Sequence, residues 1–336
     1  MRGKGEILNP VSRHAYFKGG NHMAVNVFED WLNACSGCEI SILNIGDPLV
    51  DLLPHINFVH ITPLIDNKFF GQLGEKTEME IPEAPVAILS GGIRTDEQVH
   101  ELKEIRKKSK FLVALGTCAC HGGIPAQANM WKNEELLEKV YRNCTSTEPS
   151  PDPKDPSVPE LTPTCAALDE YVNVDIYLPG CPPHPDWIAD AVLALLGGGT
   201  AWSLPERSVC DTCPTIREKK SGGGAVKRFL QNYEFNPEEG LDKMRCINEL
   251  GFLCQGPVTL AGCAGKTGVP RCIQARTACR GCFGPIRKGA QPLVDMMGAL
   301  SSVGMDPKTV TDRRAILNRY IGAHGTLKVL PARPTK

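Results

Sequence analysis

Fifteen cysteines in 336 residues limit what this chain can become more than any other feature. Disulfide scaffolds are usually short secreted chains, and an odd count leaves one thiol over after full pairing. Several cysteines fall instead in C-x-x-C pairs, at Cys35/Cys38, Cys210/Cys213 and Cys279/Cys282. In a chain of this length that spacing reads as metal ligation.

The charge balance removes two classes of partner. With 37 basic and 38 acidic side chains the net charge is -1, so nothing draws the chain to nucleic acid or an anionic membrane. The first 23 residues lack the apolar run of a secretory signal, and no twin-arginine pair precedes a hydrophobic stretch there. The most apolar segment, Trp187 to Leu196, is too short to span a bilayer. The expectation is a soluble, cytoplasmic protein.

Up to about residue 200, short apolar runs alternate with helix-like stretches. The runs Val25–Phe28, Asn57–Ile61, Val86–Leu89, Leu112–Leu115 and Val174–Leu178 predict five strands. Thr95 and Gln98 predict a capping box, followed by Val99, Leu102 and Ile105 on one helical face. A second helix, capped by Asp186, carries Trp187, Ile188, Ala191, Val192, Leu195 and Leu196 and ends at Gly197–Gly199. This alternation implies a flavodoxin-like α/β domain, a parallel sheet with helices on both faces. Residues 144–164 are proline-rich and predict an exposed insertion without regular structure.

Beyond residue 200 the alternation fades. Eight cysteines lie between Cys210 and Cys282 among many glycines and prolines. One helical patch is expected at Pro237–Leu250, and another at Asp312–Tyr320. Bound metal would supply the order that regular structure does not, because ligation free energy becomes folding free energy. The expected division is an N-terminal extension over 1–24, the α/β domain over 25–200, an irregular, mostly α metal-binding domain over 201–295, and a tail over 296–336.

In open parallel sheets, ligands bind outside the carboxyl ends of the strands. WLNACSGCE follows the first strand, LGTCACHGG the fourth and LPGCPPHP the fifth. The fold would therefore gather Cys35, Cys38, Cys118 and Cys181 at one edge, as four thiolates for a [4Fe–4S] cluster or a zinc ion. Cys210, Cys213, Cys246, Cys254, Cys263, Cys272, Cys279 and Cys282 make two more groups of four, and spacing alone leaves their pairing open. A zinc ribbon would use only four of the eight. His121 and His184 read as structural residues, and Glu39 as a first-turn acid favoured by the helix dipole. Cys120, Cys144 and Cys165 read as spares, with Cys120 near enough to Cys118 to replace it. GTCACHGG lacks the lysine and spacing of a phosphate loop, and SGGG at 221–224 reads as a turn. No side chain offers a catalytic acid, base or nucleophile.

These motifs resemble the small subunit of [NiFe] hydrogenases. CSGCE, GTCACHGGI and PGCPPHP resemble the segments that hold that family's proximal cluster. CINELGFLCQGPVT, AGC and CRGC resemble its second and third cluster regions. The resemblance spans about residues 25 to 295. It implies a proximal [4Fe–4S] cluster on Cys35, Cys38, Cys118 and Cys181. It implies a distal one on Cys210, Cys213, Cys246 and Cys254, and a medial one on Cys263, Cys272, Cys279 and Cys282. It also implies that nickel and iron at the active site belong to a separate large subunit.

Membrane-linked members commonly have histidine at the position of Cys210 and often proline at that of Cys272. Cysteine at both implies three [4Fe–4S] clusters and no [3Fe–4S] centre. Ala34 stands where a glutamate is often found, which removes a proton-path role there. The chain thus looks like the small (gamma) subunit of the cytoplasmic methyl-viologen-reducing type. That type implies electrons leaving through a [2Fe–2S] subunit to heterodisulfide reductase, as in hydrogen-dependent methanogenesis. Alternatives are a deazaflavin-reducing relative, an electron-transfer subunit of a nickel-free complex such as a formate dehydrogenase assembly, and a zinc-stabilised interaction protein. Complex-I-type subunits share part of the proximal motif set but leave the eight later cysteines unexplained.

Overall fold

The computed structural model describes residues 24–331 apart from 66, 147, 153–154, 200, 219–222, 229–232 and 235. The expected N-terminal extension lies outside the described residues but for residue 24, as does the first half of the 221–224 turn.

Five strands form one parallel sheet: β1 (Val25–Trp31), β2 (Ile56–Ile61), β3 (Val86–Ser90), β4 (Phe111–Leu115) and β5 (Ile176–Leu178). Their order across the sheet is β2-β1-β3-β4-β5, with every neighbouring pair parallel. This is the flavodoxin-like order. The middle strand shows why the sheet is parallel. All five residues of β3 are buried, as expected of strands covered by helices on each side.

Three of the helices fix the chain around this sheet: α1 (Gly37–Leu43), α2 (Asp96–Lys108) and α3 (Gly116–His121). A fourth, α4 (Pro185–Leu196), follows β5. One face of the sheet packs Phe28, Leu89 and Leu112 with Leu102 and Ile105 of α2. The other packs Val27, Ile88, Val113 and Leu178 with Ile42 of α1 and Ile188 and Ala191 of α4. Leu102 and Ile105, at most 1% exposed, each contribute about 1.5–3 kcal/mol by leaving water.

Several local expectations change. The fifth strand begins at Ile176 rather than Val174, because Asp175 turns its carboxylate to accept the Leu112 N–H at 2.8 Å. The cap of α4 is His184 and not Asp186. Pro185 takes the first helical position, where a missing N–H costs nothing, and His184 Nδ1 accepts from Asp186 N–H at 3.3 Å. The end of the proline-rich insertion is ordered: Leu161–Ala166 pairs antiparallel with Ile93–Thr95. Pro163 fits there because a two-stranded ribbon has only edges.

Pro237–Leu250 is a run of turns, not a helix. Its backbone bonds outward instead: Ile216 N–H donates to Met244 O at 2.9 Å and Cys246 N–H to Ile216 O at 2.8 Å. Near the C-terminal end, α5 (Pro292–Ser302) crosses the expected 295/296 division, and the Asp312–Tyr320 patch is helical over Arg313–Leu317.

The capping box on α2 is present, with Thr95 Oγ1 accepting from Gln98 N–H and Gln98 Oε1 from Thr95 N–H. Thr95→Ala is expected to cost about 1 kcal/mol of stability, read as a lower denaturant midpoint at unchanged slope.

Candidate metal centres

Three strand ends deliver the first group of thiols. β1 runs out through Leu32 to Cys35. Ser36, at φ 64, then turns the chain into α1, which carries Cys38. β4 leads straight into α3, which carries Cys118, and β5 is followed by Gly180 and Cys181. Cys35 and Cys181 are exposed, while Cys38 and Cys118 are half-buried.

Two glycines let backbone close on these sulfurs. Gly116 (φ 85) lies against Cys38 Sγ and Gly123 (φ 56) against Cys118 Sγ. A Cβ at either would collide with the sulfur, and positive φ already disfavours any other residue. Burial first, then the Glu39 carboxylate and the thiols of Cys118, Cys181 and Cys35, push Cys38 well above the ordinary thiol range. Burial, then Cys181 and Cys35, push Cys118 up to about 12. Without a cation these thiols keep their protons. Bound metal inverts that balance, since ligation demands thiolate.

A second group lines a cavity of about 520 Å³ with Cys210, Cys213, Cys246 and Cys254. A Cβ on Gly256 would sit 3.1 Å from Cys210 Sγ and 3.7 Å from Cys254 Sγ, so this cradle too is shaped around sulfur. Burial and neighbouring thiols push Cys210 up to about 12, and burial does the same for Cys254. A third group lines a cavity of about 210 Å³ with Cys263, Cys272, Cys279 and Cys282. Burial, then Cys263 and Cys272, push Cys282 up to about 12. Cys181 also lines this third cavity, and Cys279 lines both. The Cys279 N–H donates to Cys254 Sγ at 3.3 Å. Among the described residues, no three His, Cys, Asp or Glu side chains close on a single metal ion. The donor chemistry, all soft sulfur set around roomy cavities with glycine cradles, fits iron–sulfur clusters.

The remaining candidates fall elsewhere. Cys120 is 1% exposed and its thiol donates to Ala114 O at 3.3 Å. Cys165 is buried to the same degree, and Cys144 meets Ser146 Oγ at 3.1 Å. His121 is half-buried, and desolvation pushes it down to about 4 and keeps it neutral. Glu39 sits in the first turn of α1, but it is buried there and accepts from Ser90 Oγ rather than facing water.

One residue was missed. Glu29, in the middle of β1, is fully buried, and burial together with the Glu39 and Asp30 carboxylates pushes it up to about 9. The signal was an acid pair inside the apolar run VNVFEDW.

A family model described as NADH ubiquinone oxidoreductase, 20 Kd subunit, matches residues 35–195. A subunit of the F420-non-reducing hydrogenase vhu of Methanocaldococcus jannaschii is 37% identical over 299 residues, covering 89% of this chain and 95% of its own. The like-named subunit of the F420-non-reducing hydrogenase of Methanothermobacter thermautotrophicus is 36% identical, covering 90% and 93%. This chain belongs to the family of these F420-non-reducing hydrogenase subunits. Among solved structures, the NAD+-reducing [NiFe]-hydrogenase in the H2-reduced state aligns at TM-score 0.49 and 32% identity, over 55% of this chain and 97% of that one.

Members of this family are hydrogenase subunits, and this chain is therefore part of an oxidoreductase with an electron-transfer role. The catalytic centre of such hydrogenases lies on a separate large subunit.

Two outcomes are expected at this edge. Cys118→Ala should strip iron from the sheet-edge group while Cys120→Ala leaves the iron content unchanged, as read by metal analysis; the reverse pattern would exchange the two assignments. Glu29 has a folded pKa above its unfolded value of 4.5. The folded protein thus holds a proton that the unfolded chain has released, and stability falls as pH rises towards 9. Glu29→Gln keeps the neutral form throughout, so its melting temperature should gain on the parent's more at about pH 8 than at about pH 5.5.

Proposed function

We propose that this chain relays electrons from H2, oxidised on the large subunit, through three [4Fe–4S] clusters to a [2Fe–2S] subunit that feeds heterodisulfide reductase. Cys35, Cys38, Cys118 and Cys181 would hold the proximal cluster. Cys263, Cys272, Cys279 and Cys282 would hold the medial one, and Cys210, Cys213, Cys246 and Cys254 the distal one. Bound there, such clusters take up and release single electrons.

The observation that carries this reading is the continuity of the three groups. Cys181 belongs to the sheet edge and lines the medial cavity, while Cys279 lines the medial and distal cavities. Three thiol groups placed end to end suit a relay better than three unrelated structural sites. Their volumes, about 520 and 210 Å³ for the two cavities, are large beside the ~30 Å³ that one water occupies and suit polynuclear centres more than single zinc ions.

The chain's own part is to seat, shield and tune. Glycine backbone wraps Cys38 and Cys118, and an N–H points at Cys254 Sγ. Hydrogen bonds to sulfur, net charge and solvent access set cluster potentials. The division is taken as an α/β domain over 25–200 holding the proximal site and a region over 201–295 holding the other two, with 296–336 as tail. Among the described residues no helix is long and apolar enough to cross a membrane. The complex is proposed to act in the cytoplasm.

The native complex, purified without oxygen, should contain nickel near one per chain. Its iron should reach about fifteen or more: twelve in this chain, one at the active site, and two in the [2Fe–2S] partner. Iron short of twelve in the isolated dimer with the large subunit would remove one of the three clusters. A complex that passes electrons to methyl viologen but never to heterodisulfide reductase would remove the proposed acceptor.

A further inference from the structure

One side chain ties the sheet edge to the second half of the molecule. Thr117 lies between Gly116 and Cys118 and is 1% exposed. Its N–H donates to Gly180 O at 2.8 Å. Its hydroxyl accepts from Gly180 N–H at 2.8 Å and donates to Cys282 O at 2.6 Å. A threonine hydroxyl has a single proton to give, and here it is spent on the peptide of a medial cysteine. The same residue therefore grips the peptide before Cys181, the peptide of Cys282, and, through the chain, Cys118.

Beside this node, Cys181 and Cys282 line the same cavity. Two segments of the sheet edge thus approach one medial cysteine, and Thr117 fixes that approach. Nothing in the packing of the α/β core requires a hydroxyl at this position. Valine has almost the same shape, and would fill the space while leaving Gly180 N–H and Cys282 O without partners in a buried setting.

We propose that Thr117 is a positioning residue: it holds the sheet-edge cysteines against Cys282 and thereby sets the rate of electron passage between proximal and medial sites. The inference rests on the cluster reading proposed above. The event it governs moves one electron, so that the proximal site is oxidised and the medial site reduced. No bond forms or breaks and no proton changes place. H2 at the large subunit supplies the electron.

The test uses the anaerobic complex with its large subunit, as parent, Thr117→Val and Thr117→Ser. Three quantities are read: iron per chain, the midpoint potential of each cluster by EPR titration, and the rate at which the medial signal changes after rapid mixing with H2. Iron should be equal in all three. Thr117→Val should slow the medial change by about tenfold, the lower end of what lost hydrogen bonds around metal ligands cost, while Thr117→Ser stays within about twofold of the parent.

Full iron with parental rate and potentials in Thr117→Val would overturn the proposal. So would a slowing that Thr117→Ser does not rescue, since that would mark a loss of packing. If Thr117→Val does not assemble, Thr117→Ala is measured in its place, and an unchanged rate there overturns the proposal equally. A parent complex already short of iron sinks the cluster reading instead, which separates the two failures.

Discussion

A thiolate needs positive charge when it is buried, and much of this structure is arranged around that need. Burial alone is the leading cause that pushes Cys118, Cys210, Cys254 and Cys282 up to about 12. As free thiols they would be weak donors clustered for no benefit. Cation binding exchanges their protons for metal and turns a desolvation penalty into an attraction. The coupling bears most on the half beyond residue 200. There one core cluster includes Cys254 and Cys279 among its own buried members, so these candidate ligands are also part of the packing. The α/β half has two apolar faces of its own, so metal at the sheet edge would order the edge rather than the sheet.

The sheet edge is not built by the first 200 residues alone. Past α5 the chain returns to α3 and clamps it. Gly123 pairs with Ile321, Ala323 N–H donates to His121 O at 3.1 Å, and the Asn129 side chain donates to Cys165 O at 2.8 Å and Gly322 O at 3.1 Å. Trp187 on α4 reaches the other way, donating to Gly262 O at 2.8 Å beside Cys263. These long-range ties place Cys118 between segments some two hundred positions apart. They make the candidate metal sites a product of the completed fold, and contacts of such separation form late because loop closure must come first.

The strands and the two longer helices around the sheet could be read from the sequence because local signals and global packing agree there. The apolar runs are short and bounded, and Thr95 and Gln98 form a capping box whose geometry needs nothing distant. The parallel sheet followed from the alternation, while its strand order is seen in the structure. Type and spacing mark twelve of the fifteen cysteines as candidates, but their association in space depends on turns with no periodic signal. Pro237–Leu250 shows the limit. Its composition suits a helix, yet Ile216, distant in sequence, takes the backbone groups of residues 244 and 246. Glu29 shows another. A strand gives no local sign that an acid will be buried, because both faces of this one are covered and the cost appears only when β1 lies between β2 and β3.

The choice between Cys118 and Cys120 turns on the same kind of physics. As a loop, GTCACHGG leaves either sulfur free to face the sheet edge. As α3, it does not, because successive helical residues turn by about 100° and residues two apart point to opposite sides. With Cys118 beside Gly123 at the edge, Cys120 must face inward, where it packs with Phe28, Leu89 and Leu168. Its proton goes to Ala114 O. A cysteine there behaves as a small apolar residue with a weak donor, and no rotation of its side chain within the helix returns it to the site. What makes the helix is the abrupt end of β4 at Leu115, where Gly116 turns at positive φ and lets the chain fold back on the strand it has just left. The side on which each thiol of the motif emerges is in this sense set at Gly116, two residues before Cys118.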